Sequence, residues 1–138
     1  MGDTAMEQAQ AQVESVVALM SALGQASETN EPQDLDGELL TEDQLYTRVY
    51  ETPLSVEYRS AWCTELGQLS EPDECRVVLC TGGPHVELRA GLNQYGGPRD
   101  DVRVLYQDWF EPLSQLYISG AEVRDALERF MTAVAGGF

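Results

Sequence analysis

Nucleophilic catalysis needs a hydroxyl or thiol beside a base, and this chain holds a single imidazole, His85. It follows Pro84 at the start of an alternating apolar run, the place of a surface or strand-edge histidine. The three cysteines, Cys63, Cys75 and Cys80, are an odd number without CxxC spacing, which argues against a disulfide framework and a zinc site. Cys75 and Cys80 are five residues apart in an expected strand, so alternation sends them to opposite faces. Gly82-Gly83-Pro84 lacks the lysine and following helix of a phosphate loop and reads as a turn. Asp34-Leu35-Asp36-Gly37-Glu38 opens like a calcium loop. Its glycine falls at the fourth position rather than the sixth, and Leu45 stands at the twelfth, where a glutamate belongs. These residues predict no catalysis, no metal and no cofactor.

What remains is charge. The 138 residues carry 24 acids against eight bases, all of them arginine, for a net charge of −16. Such a chain is repelled by phosphate backbones and anionic lipid, so direct nucleic-acid or membrane binding is not expected. It is drawn instead to basic grooves, the largest of which belong to proteins that handle DNA or RNA; acidity also serves plain solubility. Residues 1–44 hold ten acids and no arginine, while the other 94 residues hold 14 acids and all eight arginines. Seven acids crowd into residues 28–43, namely Glu28, Glu31, Asp34, Asp36, Glu38, Glu42 and Asp43. Fully extended, they would space one charge every ~7.5 Å, against ~1.7 Å along duplex DNA. An extended segment is therefore a thin imitation of nucleic acid, and acids of the folded part must add to it. Asp100-Asp101 and Glu71-Asp73-Glu74, both in expected turns, offer such patches.

The elements that position these groups follow from hydrophobic period. Val13, Val16, Val17, Met20 and Leu23 recur at helical spacing, predicting an amphipathic helix within residues 1–24 that Gly24 stops. Its apolar stripe suits either docking on its own domain or pairing between two chains. Residues 25–40 lose the period and read as an acidic linker; an α+β domain fills 41–138. Thr41 and Gln44 form a capping box for a short helix whose buried side is Leu45 and Val49, with Tyr46 a further candidate, ended by Pro53. A four-stranded antiparallel meander follows. Its strands are Leu54/Val56/Tyr58/Trp62, Cys75 to Cys80, Val86/Leu88/Ala90/Leu92 and Val102/Val104/Tyr106, with Gly82-Gly83 and Tyr95 to Pro98 as turns. A second capping box, Ser119 and Glu122, opens a C-terminal helix with the stripe Val123, Leu127, Phe130, Met131 and Val134, stopped by Gly136-Gly137. Trp109-Phe110, two bulky aromatics at a strand end, read as a core plug; exposed, a tryptophan beside Asp108 would anchor an interface.

Three strings, Pro53 to Trp62 (PLSVxxRSxW), Leu79 to Val86 (LCTGGPxV) and Tyr106 to Phe110 (YQDWF), together resemble a family of small proteins carried by phages, prophages and other mobile elements. The likeness covers about residues 41–118 and brings no catalytic residues with it. It implies an origin in which small acidic proteins often inhibit host defence, the anti-CRISPR proteins among them. The resulting expectation is a non-enzymatic inhibitor acting as a DNA mimic. Glu28, Glu31, Asp34, Asp36, Glu38, Glu42 and Asp43 would form an adaptable arm, and Asp100 and Asp101 a fixed patch, against a basic nucleic-acid-handling host protein such as a CRISPR–Cas effector. The alternative is an oligomeric accessory module, a homodimer paired through the N-terminal helix. A pocket collecting Asp108 and His85 would point back to an enzyme. With no secretory signal and no apolar run of ~20 residues, a cytoplasmic location in the host is expected.

Overall fold

A computed structural model describes residues 2–60, 72–93 and 97–135. Trp62, Cys63, Glu71, Tyr95, Gly96 and the Gly136-Gly137 stop lie outside the described residues. The fold is α+β, and the described residues form three helices, a two-stranded hairpin and a five-stranded antiparallel sheet.

Helix α1 spans Gly2–Thr29, five residues beyond the expected stop at Gly24. The apolar period runs on through Ala22, Leu23 and Ala26, all buried, and this packing outweighs the ~1 kcal/mol that a mid-helix glycine costs. At Gly24 α1 lies beside the C-terminal helix, where a β-carbon would make ordinary contact with the Arg129 guanidinium at 3.8 Å. The helix ends at Asn30, whose φ of 56° makes a left-handed cap, and whose N–H donates to the Ala26 carbonyl at 2.9 Å.

The expected linker is a hairpin. Strands β1 (Gln33–Leu35) and β2 (Glu38–Leu40) pair antiparallel with Leu35 opposite Glu38. Asp36 and Gly37 form the two-residue loop with φ of 52° and 84°, the positive pair that a tight hairpin turn needs. Leu40 is buried and Leu35 packs against the core, so the apolar residues of this polar stretch have a structural use. The Asp34–Glu38 string is this hairpin, not a calcium loop.

Helix α2 (Glu42–Glu51) carries the expected capping box: the Gln44 N–H donates to Thr41 Oγ1 at 3.3 Å and the Thr41 N–H to Gln44 Oε1 at 2.9 Å. Leu45 and Val49 are buried, whereas Tyr46 is exposed.

The sheet runs β3 (Ser55–Ser60), β4 (Pro72–Cys80), β5 (His85–Gly91), β6 (Arg103–Gln107) and β7 (Ser114–Leu116), each strand paired antiparallel with the next. The fifth strand corrects the four-stranded expectation; three residues, two of them polar, hold too little period to read as a strand. Helix α3 (Ala121–Ala135) buries Ala126, Leu127, Phe130 and Met131. It starts after Gly120, whose φ is 102° and whose carbonyl accepts the Arg124 N–H at 3.3 Å, so the Ser119 cap is displaced by one residue.

One core joins the layers: Val13, Val16 and Met20 of α1, Leu45 of α2 and Phe130 of α3 meet Val77, Leu88 and Val104 of the sheet. The α1 stripe thus lies inside its own chain. A bulge in β4 corrects the cysteine expectation. Val77 pairs with Leu88 and Val78 with Glu87, but Cys80 pairs with Val86 because Leu79 is the extra residue. Cys75 opposes Ala90 and Cys80 opposes Val86, so both sulfurs sit on the core face.

Candidate functional site

The acids nominated from the sequence lie on built elements rather than on a loose arm. Glu28 is in the last turn of α1, Glu31 in the following bend, Asp34, Asp36 and Glu38 on the hairpin, and Glu42 and Asp43 in the first turn of α2. Six of the seven are exposed and Glu42 is half-buried. Folding the segment back as paired strands about 4.8 Å apart brings the charges closer than an extended chain would. The hairpin is held beside α1, where Leu35 and Asp36 border a surface depression shared with Ala11, Leu19, Arg48 and Thr52. Among the described residues only Glu38 of the seven forms an ion pair, with Arg48 at 2.7 Å. Glu42 and Asp43 also oppose the positive end of the α2 dipole. Asp100 and Asp101 stand elsewhere, just before β6. Asp100 Oδ1 accepts the Gly91 N–H at 3.0 Å and so fastens a turn, while Asp101 is exposed.

The sheet face turned away from the helices has the opposite character. Register aligns Glu57, Arg76, Arg89 and Arg103 in one row across β3 to β6. Three like charges side by side would repel, and acids on the same face offset them. Arg76 pairs with Glu57, Arg59 with Glu74 at 2.8 Å, and Arg103 with Glu74 at 3.3 Å. At the centre Glu87 is only 1% exposed, although none of the three described helices packs on its face. The side chains of its neighbours seal it: Arg89 binds Oε2 at 2.8 Å, His85 Nε2 binds Oε1 at 2.8 Å, and Arg76 stands at 3.9 Å. The hydrogen bond from Arg76 holds the Glu57 carboxyl below the usual carboxylate range, with a smaller contribution from Ser55. In the sequence Glu87 alternates with Val86 and Leu88 and so falls on the polar parity of the strand; burial by neighbouring arginines leaves no mark in a linear pattern.

A cleft of about 370 Å³ opens at the end of the sheet where β5 begins and β6 ends. Thr81–Gly83 and His85 line one side and Gln107–Phe110 the other, so the LCTGGPxV and YQDWF strings, separated in sequence, border one space. The His85–Gln107 pairing of β5 with β6 brings them together. His85 is half-buried here, with Thr81 Oγ1 3.5 Å from its Nδ1 and Glu87 on its Nε2.

Trp109 and Phe110 are not a core plug: they are 64% and 102% exposed. They form the tip of a turn closed by the Glu111 N–H donating to the Asp108 carbonyl at 3.2 Å. The Gln107 amide donates to the Glu111 carbonyl at 2.8 Å, and the Trp109 N–H to Asp108 Oδ1 at 3.1 Å. Phe110 has φ of 61° at the third turn position, a place that ordinarily calls for glycine or asparagine. The two rings lie 6.2 Å apart at 44°. Trp109 Nε1 lies 4.0 Å from where a Gly83 β-carbon would start, so the indole rests against the bare turn.

Neither described thiol is activated. Burial pushes Cys75 up to about 11 and also raises Cys80, leaving both protonated at neutral pH. Among the described residues, no three His, Cys, Asp or Glu side chains gather in a way that could hold a metal ion. No described helix is long and apolar enough to cross a membrane. No protein-family model matches the chain, and no curated protein or solved structure does so either.

Proposed function

We propose that this chain is a non-enzymatic binding protein whose acidic helical side occupies a basic groove of a nucleic-acid-handling protein. On this reading it is an inhibitor of host defence of the anti-CRISPR type, carried by a mobile element. The observation that carries the reading is the separation of charge states. Six of the seven acids between Glu28 and Asp43 make no ion pair among the described residues, while the arginines of the sheet are tied to glutamates. Charge left without an internal partner is charge available to an external one. Pairing of two chains through α1 has less support, because its stripe is part of the chain's own core.

The test replaces Glu31, Asp34, Asp36 and Asp43 by lysine and uses both proteins to capture partners from host lysate after nuclease treatment. Wild type is expected to retain a basic protein that added duplex DNA or RNA releases, with retention falling as salt rises. The reversed variant is expected to lose it while keeping its thermal midpoint. Equal retention by both proteins, indifferent to nucleic acid, would overturn the proposal.

A second reading has one observation behind it. Thr81, His85 and Glu87 stand in the order hydroxyl, imidazole, carboxylate beside an open cleft, the order used in acyl transfer. The hydroxyl–imidazole separation of 3.5 Å is its weak joint. Hydrolysis of an activated ester that disappears in His85→Ala would favour it.

A further inference from the structure

We propose that the cleft between the β4–β5 turn and the Asp108–Glu111 turn receives an arginine side chain of a protein partner. The guanidinium would lie on the Trp109 indole and pair with the Asp108 carboxylate. The proposal rests on the reading that the partner is a basic protein, and it names a second contact point outside the acidic helical side.

The chemistry of the lining selects the ligand. The cleft is lined by the Trp109 indole, the Phe110 ring and the Asp108 carboxylate together. Aromatic faces attract cations, and a carboxylate accepts from them. One Asp108 oxygen takes the Trp109 N–H, and a carboxylate has acceptor capacity beyond one bond. Among the described residues lining the cleft there is no arginine to compete, and in the sheet Arg89 is held by Glu87 and Arg76 by Glu57. His85 is likewise engaged by Glu87. Guanidinium suits this setting better than ammonium because it is planar, stacks on an indole, and offers parallel N–H groups to a carboxylate.

The backbone supplies an independent observation. Phe110 shows its whole side chain to solvent while holding a left-handed conformation that disfavours any residue with a β-carbon. Burial does not offset that strain, and the ring's contact within the turn is with the likewise exposed Trp109, the ring centroids 6.2 Å apart. Sites of this kind collect where a partner is met. Three hydrogen bonds fix the turn, so the aromatic tip is set in place before any ligand arrives and loses little freedom on binding.

The experiment titrates the full ¹⁵N-labelled chain with Ac-Gly-Arg-Gly-amide and with Ac-Gly-Lys-Gly-amide, following the Trp109 indole N–H and the Gly82 and Gly83 amides. The arginine peptide is expected to move these resonances and to bind about two- to five-fold more tightly than the lysine peptide. Asp108→Asn, which keeps an oxygen for the Trp109 N–H, is expected to weaken the arginine response. Phe110→Gly is expected to weaken it while raising the thermal midpoint. A silent Trp109 resonance, equal binding of the two peptides, or an Asp108→Asn response equal to wild type would each overturn the proposal. The variant carrying lysine at Glu31, Asp34, Asp36 and Asp43 separates this result from the broader reading. It should retain the Trp109 response, and loss of the response there would show that distant charge, not the cleft, recruits the peptide.

Discussion

The two sides of this molecule use the same residue types to opposite ends. Residues 1–52, which make α1, the hairpin and α2, contain eleven acids and one arginine. The outer face of the sheet sets Glu57, Glu74 and Glu87 against Arg59, Arg76, Arg89 and Arg103, and each glutamate has at least one arginine within 3.3 Å. Counting charges over the whole chain merges these regions into a single net value of −16. The difference teaches that an acid contributes to recognition only where the fold has left it without an internal counter-charge. On the sheet, the same groups act as a cover, closing a face that none of the described helices packs against.

Removing the centre of that cover should produce the largest effect. Glu87→Ala leaves Arg76, Arg89 and His85 facing one another around a vacated, water-poor position. Breaking a buried ion pair from one side costs about 3–5 kcal/mol, and urea unfolding of the variant should show a loss of this order. An intermediate control is informative: replacing Glu87 together with Arg89 by apolar residues of similar volume should recover much of the loss. A loss below ~1 kcal/mol for Glu87→Ala would place this carboxylate among ordinary surface charges and erase the contrast between the sides.

The parts of this contrast that could be read in sequence were those set by local period. The α2 capping box, the Leu45/Val49 pair and the α3 stripe each depend on residues three or four apart, and all three appear as read. Features set by a neighbouring strand could not be read the same way. The extra residue Leu79 is visible only against β5, and it reverses the facing of Cys80. Glu87 looks like any outward-facing residue until arginines from two strands close over it. The cleft depends on the register of His85 with Gln107, which no spacing within either segment encodes. Trp109-Phe110 misled for another reason: apolar character ordinarily signals burial, but these two residues are the exposed tip of a turn closed by the Glu111 N–H and the Asp108 carbonyl. The hairpin alone carried an available signal. Asp36-Gly37 is a strong turn pair, overlooked because its flanking strands are three residues each and crowded with acids.

That turn gives a middle-sized prediction on the acidic side. Gly37 has φ of 84°, and a β-carbon there would meet nothing within 4 Å, so Gly37→Ala suffers only the backbone penalty. The expected cost is about 1–2 kcal/mol, read as a fall in urea midpoint with the sheet's hydrogen exchange unchanged. Because the hairpin sets where Asp34, Asp36 and Glu38 stand, partner binding should fall more than global stability does. A binding loss no greater than the stability loss would mean that the acids act by number alone and that their placement by the hairpin is immaterial.

The smallest expected effect tests whether charge or shape makes the sheet face a cover. The Arg76 hydrogen bond, followed by that of Ser55, lowers the Glu57 carboxyl below its ordinary value of 4.5 in the folded chain. A depressed carboxyl binds its proton more weakly folded than unfolded. Its stabilisation is therefore complete above the unfolded value and fades as pH falls through the folded one. Glu57→Gln should accordingly unfold slightly earlier than wild type in urea at neutral pH. The gap should close well below pH 4.5 and narrow in high salt, since both partners are solvent-exposed. A gap that survived acid and salt unchanged would mean that Glu57 serves the sheet by hydrogen bonding and packing rather than by charge. Arg76, its charge then not offset by Glu57, would be open to an outside anion, while Arg59, Arg89 and Arg103 stay paired with Glu74 and Glu87.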